Sequence, residues 1–421
     1  LNGGPKLYLF DEHAGAFQPL SWTRPLSELL HGAETFRERL ERRSGRPVEG
    51  VFTHGRFEAL RFTRLGGRPL VVNPARPAGD PVLLLDSVYV PPPGADAGPA
   101  FADRSRSARF WVGERVVGAW LTAEDAGPAF EALAAREDWR EAARAAEDVE
   151  LPGRRPAGLH RLVARNAEQI TADLAGRASG RPPADRPGLT LEGPAERLLL
   201  DPGAELAGPV HVDVREGPVR LEAGVRVEPF AVLRGPLVAR AGARILGGEL
   251  GSGCSLGPAC KVRGEVQNTV FLGFSNKAHE GFVGDSYLGE WVNLGAGTTT
   301  SNLKNNYGYV RLRRASDVLE TGLLKLGSLI GDHVKTGIGT LLPTGAFVGP
   351  GTNLYGSSGP APAFLPAFSW GAGTRRETHR LEAFLDSARR AMERRGQTLD
   401  AEEAGMLGAV FRATEPDRIA G

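Results

Sequence analysis

The stretch IGDHVKTGIGTLLPTGAFVGPGTNL, residues 330–354, decides the fold of this chain. Aliphatic or small residues return at every sixth position: Ile330, Thr336, Leu342, Val348 and Leu354. A period of six is neither the 3.6 of a helix nor the 2 of a half-buried strand. It belongs to a hexapeptide β-helix, in which each hexad makes one flat strand and a corner. Three hexads, about 18 residues, close a triangular coil, and coils stack about 4.8 Å apart. An ordinary β-sandwich would place its turn signals at looser intervals of about 8–12 residues.

The same step runs upstream through Leu200, Leu206 and Val212; Val227, Leu233, Ala239 and Ile245; Leu250, Leu256 and Val262; and Leu288 and Leu294. A solenoid is therefore expected over 189–355. Its register breaks between 301 and 328, in a polar segment carrying Arg311, Arg313 and Arg314. Insertions of this kind protrude from a solenoid, often on its binding face.

Residues 1–176 read differently. Short apolar runs, KLYLF (6–10), PLVVN (69–73) and PVLLLDSVYV (81–90), alternate with helical patterns over 25–43 and about 123–147. Pro25 suits a first helical turn, and Leu26, Leu29, Leu30, Phe36 and Leu40 follow at helical spacing. The alternation predicts an α/β domain. RASGRPPADRPG (177–188) breaks every pattern and reads as a linker. Beyond 355 a Pro-rich segment, SSGPAPAFLP, leads into an extension, 356–421. It carries a helix over about 377–395 with Leu381, Phe384, Leu385, Ala388 and Met392 on one face.

A length of 421 residues suits two domains. With 51 Lys and Arg against 50 Asp and Glu, no charge surplus recruits nucleic acid or an anionic membrane. No apolar run approaches a bilayer span, and LNGGPKLYLF lacks the pattern of a signal peptide, so a soluble, cytoplasmic protein is expected. Cys254 and Cys260, six apart, fall on adjacent faces of one coil and give neither a disulfide framework nor zinc spacing.

Chemistry concentrates in NKAHEGFVGDSYLGEWVNLGAGTTTSNLKNNYG, residues 276–308. Five of the six lysines lie between 261 and 335, and six of the ten asparagines between 268 and 306. Lys277 and His279, two apart, would project from the same side of a strand. An outward imidazole, whose ordinary pKa is about 6.5, takes a proton from an attacking amine or hydroxyl, contributing about 10²–10⁴ in rate. The asparagines also fit a stacked ladder at coil corners.

These residues resemble the acetyltransferase domain of the GlmU family. There a His, an aromatic, a Gly-Asp, an Asn within N-[IL]-G-A-G-T and a second Asn follow in order. Here those positions are His279, Phe282, Gly284-Asp285, Asn293, Gly295-Ala296-Gly297-Thr298 and Asn302, with no gap. The whole chain is similar to the GlmU-like sugar nucleotidyltransferases, which share the NKAH, GEWVNLGAGT and SNLKNNYG stretches. The resemblance implies a left-handed β-helix and a homotrimer with sites between neighbouring helices. It implies that His279 is the general base for a sugar amine attacking acetyl-CoA, with Ala296 beside the pantetheine. Asn293 and Asn302 would contact substrate, and Arg263, Lys277, Phe282 and Lys304 complete the expected substrate set. Phe282 stands where the family usually has Tyr, and the approach from Arg263 to His279 is shorter.

Thr23-Arg24-Pro25 resembles the tail of a Gly-rich phosphate loop, of which Gly15 is the glycine left, and Leu26 replaces a lysine. This implies a nucleotide-binding role for Arg24, and Mg²⁺ held by Asp86, ending VLLLD, with Asn166 in LVARNAEQI. A γ-class carbonic anhydrase would need three zinc histidines, and His211, His279 and His333 lack ligand spacing. The expectation is a transferase of sugar-nucleotide metabolism: a Rossmann-like, degenerate nucleotidyltransferase domain and an acyl-CoA-dependent N-acetyltransferase β-helix, acting on sugar phosphates and nucleotides. Two alternatives stand beside it. One is a nucleotidyltransferase whose β-helix only assembles the protein; the other is a non-catalytic regulator or scaffold that binds sugar nucleotide.

Overall fold

The computed structural model describes residues 4–57, 70–75, 79–94, 101, 104–177, 187–315, 317–356, 359–371 and 376–419. Positions 178–186 of the expected linker, 69 of the second apolar run and 357–358 of the Pro-rich segment lie outside the described residues. The chain forms two compact units. One comprises Leu1–Phe17, Arg24–Leu29 and Glu34–Ala157; the other comprises Gln18–Thr23, Leu30–Ala33 and Gly158–Gly421. The division thus falls at Ala157, ahead of the expected linker, because the helices α3 (Leu159–Ala164) and α4 (Asn166–Leu174) group with the solenoid.

In the first unit, β1 (Lys6–Phe10), β2 (Val48–Phe52), β3 (Val82–Asp86), β4 (Ala108–Val112), β5 (Arg115–Leu121) and β6 (Glu147–Glu150) form one mixed sheet of order β2-β1-β3-β5-β4-β6. β1 runs parallel to both β2 and β3, while β5 runs antiparallel to its neighbours. The helix α2 (Ala123–Ala135), capped by Thr122, lays Phe130 edge-on against Tyr8 and Phe52, with ring centroids 4.9 and 4.8 Å away. Such aromatic contacts add to the apolar burial that holds helix to sheet.

The helix expected over 25–43 is shorter. Pro25 heads only a 3₁₀ turn, Leu26–Glu28, and α1 spans Phe36–Ser44. A capping box sets that start: Thr35 accepts from the Glu38 N–H while the Glu38 carboxylate accepts from the Thr35 N–H. Among its described residues PLVVN forms no strand and meets β2 through isolated bridging, Val72 pairing with Val51. The second helical stretch ends at Ala135 and gives way to β6.

The second unit is the parallel β-helix that the six-residue period predicts. Its faces are a nine-stranded sheet from Leu198–Leu200 to Phe364–Leu365, a six-stranded sheet from Leu189–Glu192 to Phe282–Gly284, and a third that starts at Glu205–Leu206. That third face continues through the bridges Asn276–Asn293 and Asn293–Lys335 into Lys335–Thr336 and Asn353–Leu354. The inward aliphatics, Val212, Leu233, Ile245, Leu256, Val262, Leu288, Ile330 and Val348 among them, form one buried column. Stacking coils buries each hexad's apolar side only against the next, so the column is the core.

The insertion folds as an antiparallel hairpin, Arg311–Arg313 with Val318–Glu320. Beyond the last coil, α5 (Leu381–Glu393) buries Phe384, Ala388 and Met392, the face its periodicity marks, and α6 (Ala401–Ala413) follows. Two early segments are stitched into this unit. Thr23 donates its hydroxyl to Asp332 at 2.8 Å, Leu30 O accepts from the Tyr287 hydroxyl at 2.8 Å, and Gly32 N donates to Asn166 at 2.8 Å. Cys254 and Cys260 are buried free thiols, each pushed up to about 12 by burial. Among the described residues no helix is long and apolar enough to cross a membrane.

Candidate active site

On the third face of the solenoid one outward position climbs coil by coil through Arg226, Arg244, Lys261, Asn276, Asn293, Lys335 and Asn353. Its middle members floor a cleft of about 790 Å³. His279, Trp291 and Ala296 line the cleft, joined by Arg394 and Arg395 just past the end of α5.

Hydrogen bonds set the polarity of this floor. Arg395 donates to Asn276 Oδ1 at 2.7 Å, which leaves the Asn276 amide nitrogen to donate to Asn293 Oδ1 at 3.3 Å. A guanidinium has no acceptor, so it fixes both amides in turn and leaves the Asn293 NH₂ as a donor. The His279 side chain is exposed, and no hydrogen bond from a described residue constrains its ring. Its backbone is held instead. Lys277 Nζ donates to Arg263 O at 2.7 Å and to His279 O at 2.9 Å.

Lys277 does not share the face of His279. It pairs with Val262 at an inward position of the coil and is only 2 % exposed. Burial pulls its amine down to about 8. Its ammonium is spent on the Arg263 and His279 carbonyls, and it ties the histidine segment to the coil below. Gly264 makes room for it: at φ +83° a Cβ there would lie 2.8 Å from Lys277 Nζ.

The other expected residues separate into smaller groups. Phe282 and Asn302 converge over Gly284, where a Cβ would meet the phenyl ring at 2.4 Å and the Asn302 amide at 2.9 Å. Asp285 accepts from Asn268 at 2.7 Å and from Asn302 at 2.6 Å, one coil to either side, so this part is an Asn–Asp–Asn ladder at a coil corner. Arg263 is paired with Glu280 at 2.8 Å, and Lys304 donates to Tyr309 O within the insertion at 3.1 Å. His279, Asn293 and Ala296 are thus the expected residues that share the large cleft. Arg394 and Arg395 were not singled out from the sequence, and Lys261, Asn276 and Lys335 entered only as members of its lysine and asparagine clusters, although the 17-residue step from Asn276 to Asn293 is one coil and would have exposed the ladder.

In the first unit a pocket of about 330 Å³ opens where β1 and β2 end, lined by Asp11, Glu12, His13, Thr53, His54 and Arg140 among others. β1, flanked by parallel strands, is where an open α/β sheet places its ligand crevice. The chain there runs Asp11-Glu12-His13 in place of a Gly-rich loop. Burial pushes the Asp11 carboxyl up to about 6, against hydrogen bonds from Ser87, Thr53 and the Leu26 N–H.

Arg24 is 2 % exposed and lies beside Glu28 instead of lining this pocket. The Mg²⁺ pair does not fit. Asp86 is fully buried, ion-paired with Arg155, and accepts from the Val88 N–H at 3.0 Å. Asn166 belongs to the solenoid unit and spends its amide there, accepting from Gly32 N and donating to Gly253 O and Ser255 Oγ at 2.8 Å each. Among the described residues no group of three or more His, Cys, Asp or Glu is arranged to hold a metal ion.

Comparison with known proteins matches residues 7–182 to the sugar nucleotidyl transferase family. A bifunctional sugar-1-phosphate nucleotidylyltransferase/acetyltransferase of Sulfurisphaera tokodaii is 36% identical over 91 residues, 22% of this chain and 23% of the relative. The bifunctional protein GlmU of Herminiimonas arsenicoxydans is 28% identical over 194 residues, 38% of this chain and 39% of the relative. GlmU of Azoarcus sp. is 29% identical over 237 residues, 50% of this chain and 48% of the relative. The chain thus spans less than half the length of each of these relatives. Residues 7–182 thus match the sugar nucleotidyl transferase family, and the chain is distantly similar to the bifunctional GlmU proteins.

Proposed function

We propose that the β-helix transfers an acyl group from acetyl-CoA to the amine of an amino-sugar phosphate, with His279 as general base. The observation that carries this is an exposed imidazole whose backbone is pinned by a buried ammonium, at the wall of a cleft floored by oriented asparagine amides. In the reaction the amine nitrogen attacks the thioester carbonyl, a C–N bond forms, and the C–S bond breaks to release a thiolate. His279 takes the proton the amine loses and returns it to the leaving sulfur. The Asn293 NH₂, set as a donor by the Arg395–Asn276 relay, orients a carbonyl or hydroxyl of a substrate.

In the same reading the first unit keeps the crevice of a nucleotidyltransferase while its phosphate loop is replaced by acidic residues, so it binds a sugar nucleotide poorly or not at all. The family match over 7–182 and the pocket at the ends of β1 and β2 favour a second reading, in which that crevice is the catalytic one. Acetyl-CoA consumption with a panel of amino-sugar phosphates separates the two. His279→Ala is expected to lower the rate by about 10²–10⁴. Equal rates for the variant and the parent remove His279 from the mechanism, and pyrophosphate release from a nucleoside triphosphate and a sugar phosphate transfers the activity to the first unit.

A further inference from the structure

Along the outward column of the third face, the arginines below the cleft have counter-ions. Arg226 pairs with Glu205 at 2.8 Å and Glu228 at 2.9 Å, and Arg244 pairs with Glu228 at 3.0 Å. One coil higher, at the mouth of the cleft, the carboxylates stop. Lys261, Lys335, Arg394 and Arg395 all line the cleft, and among the described residues none of the four has an ion-pair partner. Arg395 is satisfied by neutral acceptors alone, Asn276 Oδ1 at 2.7 Å and Ala259 O at 3.2 Å. The crowding is felt within the cluster: Arg395 first, then burial, then Arg244 and Arg394 pull the Lys261 ammonium down. Arg263, by contrast, is already neutralised by Glu280.

Like charges gathered without carboxylates repel one another, and α5, whose Phe384, Ala388 and Met392 are buried, leads into the two arginines of this cluster. A multiply charged anion would relieve that repulsion, and guanidinium forks match phosphate oxygens in geometry. We propose that Lys261, Arg394 and Arg395 form a phosphate-binding subsite, and that the cleft holds its ligand by a phosphate monoester or a diphosphate. This rests on the acyl-transfer reading for the identity of the ligand and names the group by which one of the two substrates is held. That group is the nucleotide end of the acyl donor or the phosphate of the sugar acceptor. It also moves phosphate recognition away from Arg263 and places two of the three cations just past the end of α5.

The test is calorimetric titration of the full chain with two pairs of probes: coenzyme A against pantetheine, and glucosamine 1-phosphate against glucosamine. The member of a pair that carries phosphate is expected to bind about tenfold or more tightly, with an advantage that shrinks as salt is raised. Whichever pair shows the advantage identifies the source of the phosphate. Arg394→Gln, on an exposed side chain, and Lys261→Gln should each cut the advantage about tenfold and leave the unphosphorylated probes unchanged. If Lys261→Gln also lowers Tm, the Arg394→Gln result decides. The proposal is overturned if neither phosphorylated probe has an advantage, if the advantage survives Arg394→Gln, or if Arg263→Gln abolishes it. Phosphate-dependent binding without turnover would sink the acyl-transfer reading and leave the subsite standing. His279-dependent turnover untouched by Arg394→Gln would do the reverse.

Discussion

Lys277→Met is the substitution in which fold and site are most tightly joined. The side chain occupies an inward, apolar-lined position, so a methionine of similar length can fill it. Two energies oppose each other at pH 7. The substitution removes a buried charge, whose cost is recorded in the fall of the amine from 10.5 to about 8, worth about 3 kcal/mol. It also leaves the carbonyls of Arg263 and His279 without their donor, at about 1–3 kcal/mol each. The two nearly cancel, so parent and variant should unfold within about 1–2 kcal/mol of each other near neutrality. They separate in alkali. Because the folded amine loses its proton near pH 8 and the unfolded one near 10.5, the unfolded state binds more protons in that window, and this group's contribution makes stability rise with pH. The variant lacks that gain and should be less stable than the parent by about 3 kcal/mol more at pH 10.5 than at pH 7. Urea unfolding at the two pH values measures the double difference. With the tether gone, kcat should fall about tenfold at pH 7 as His279 leaves its position. A parent–variant gap that stays constant from pH 7 to pH 10.5 would refute the assignment of Lys277 as a buried, proton-losing tether.

Two further outcomes test the surroundings. Gly264→Ala meets both a left-handed backbone and the Lys277 amine at 2.8 Å, so it should destabilise by about 1–3 kcal/mol in urea unfolding and lower acyl transfer with it. Asp86→Asn leaves Arg155, itself 5 % exposed, buried without its carboxylate, at about 3–5 kcal/mol; a shift in the unfolding midpoint of the first unit checks it, and an unchanged midpoint would reopen Asp86 to a ligand role.

What the sequence showed, and where it misled, follow from the same repeat. The six-residue step was legible because each inward residue pays the same steric and apolar requirement, coil after coil, and the structure carries it from Val212 to Leu354. The same step contains the correction at Lys277. Phe271, Lys277 and Val283 stand six apart, and the two aromatic and aliphatic members are fully buried. The rule that residues two apart share a face holds along a strand, but the strand Asn276–Lys277 ends there and His279 lies beyond it, past the corner. Direction therefore does not carry across, and the lysine turns inward while the histidine faces out. The helix at 25–43 failed for a local reason, since the Thr35–Glu38 capping box starts the helix a whole segment later than the apolar spacing suggests. The cations of the cleft failed for a distant one. Lys261 and Arg395 are separated by a large part of the chain, and only the packing of α5 on the solenoid brings them to one cleft. A repeat predicts neighbours within its own period, so it gives the floor of the site, Asn276 above Lys261 and Asn293 above Asn276, and is silent about the wall that a non-repeating helix adds. A deletion of α5 with Arg394 and Arg395 would accordingly leave the asparagines stacked in register while stripping the cleft of its arginines and of the Arg395 bond that orients the Asn276 and Asn293 amides, so both ligand charge and the polarity of the floor depend on a part of the chain outside the repeat.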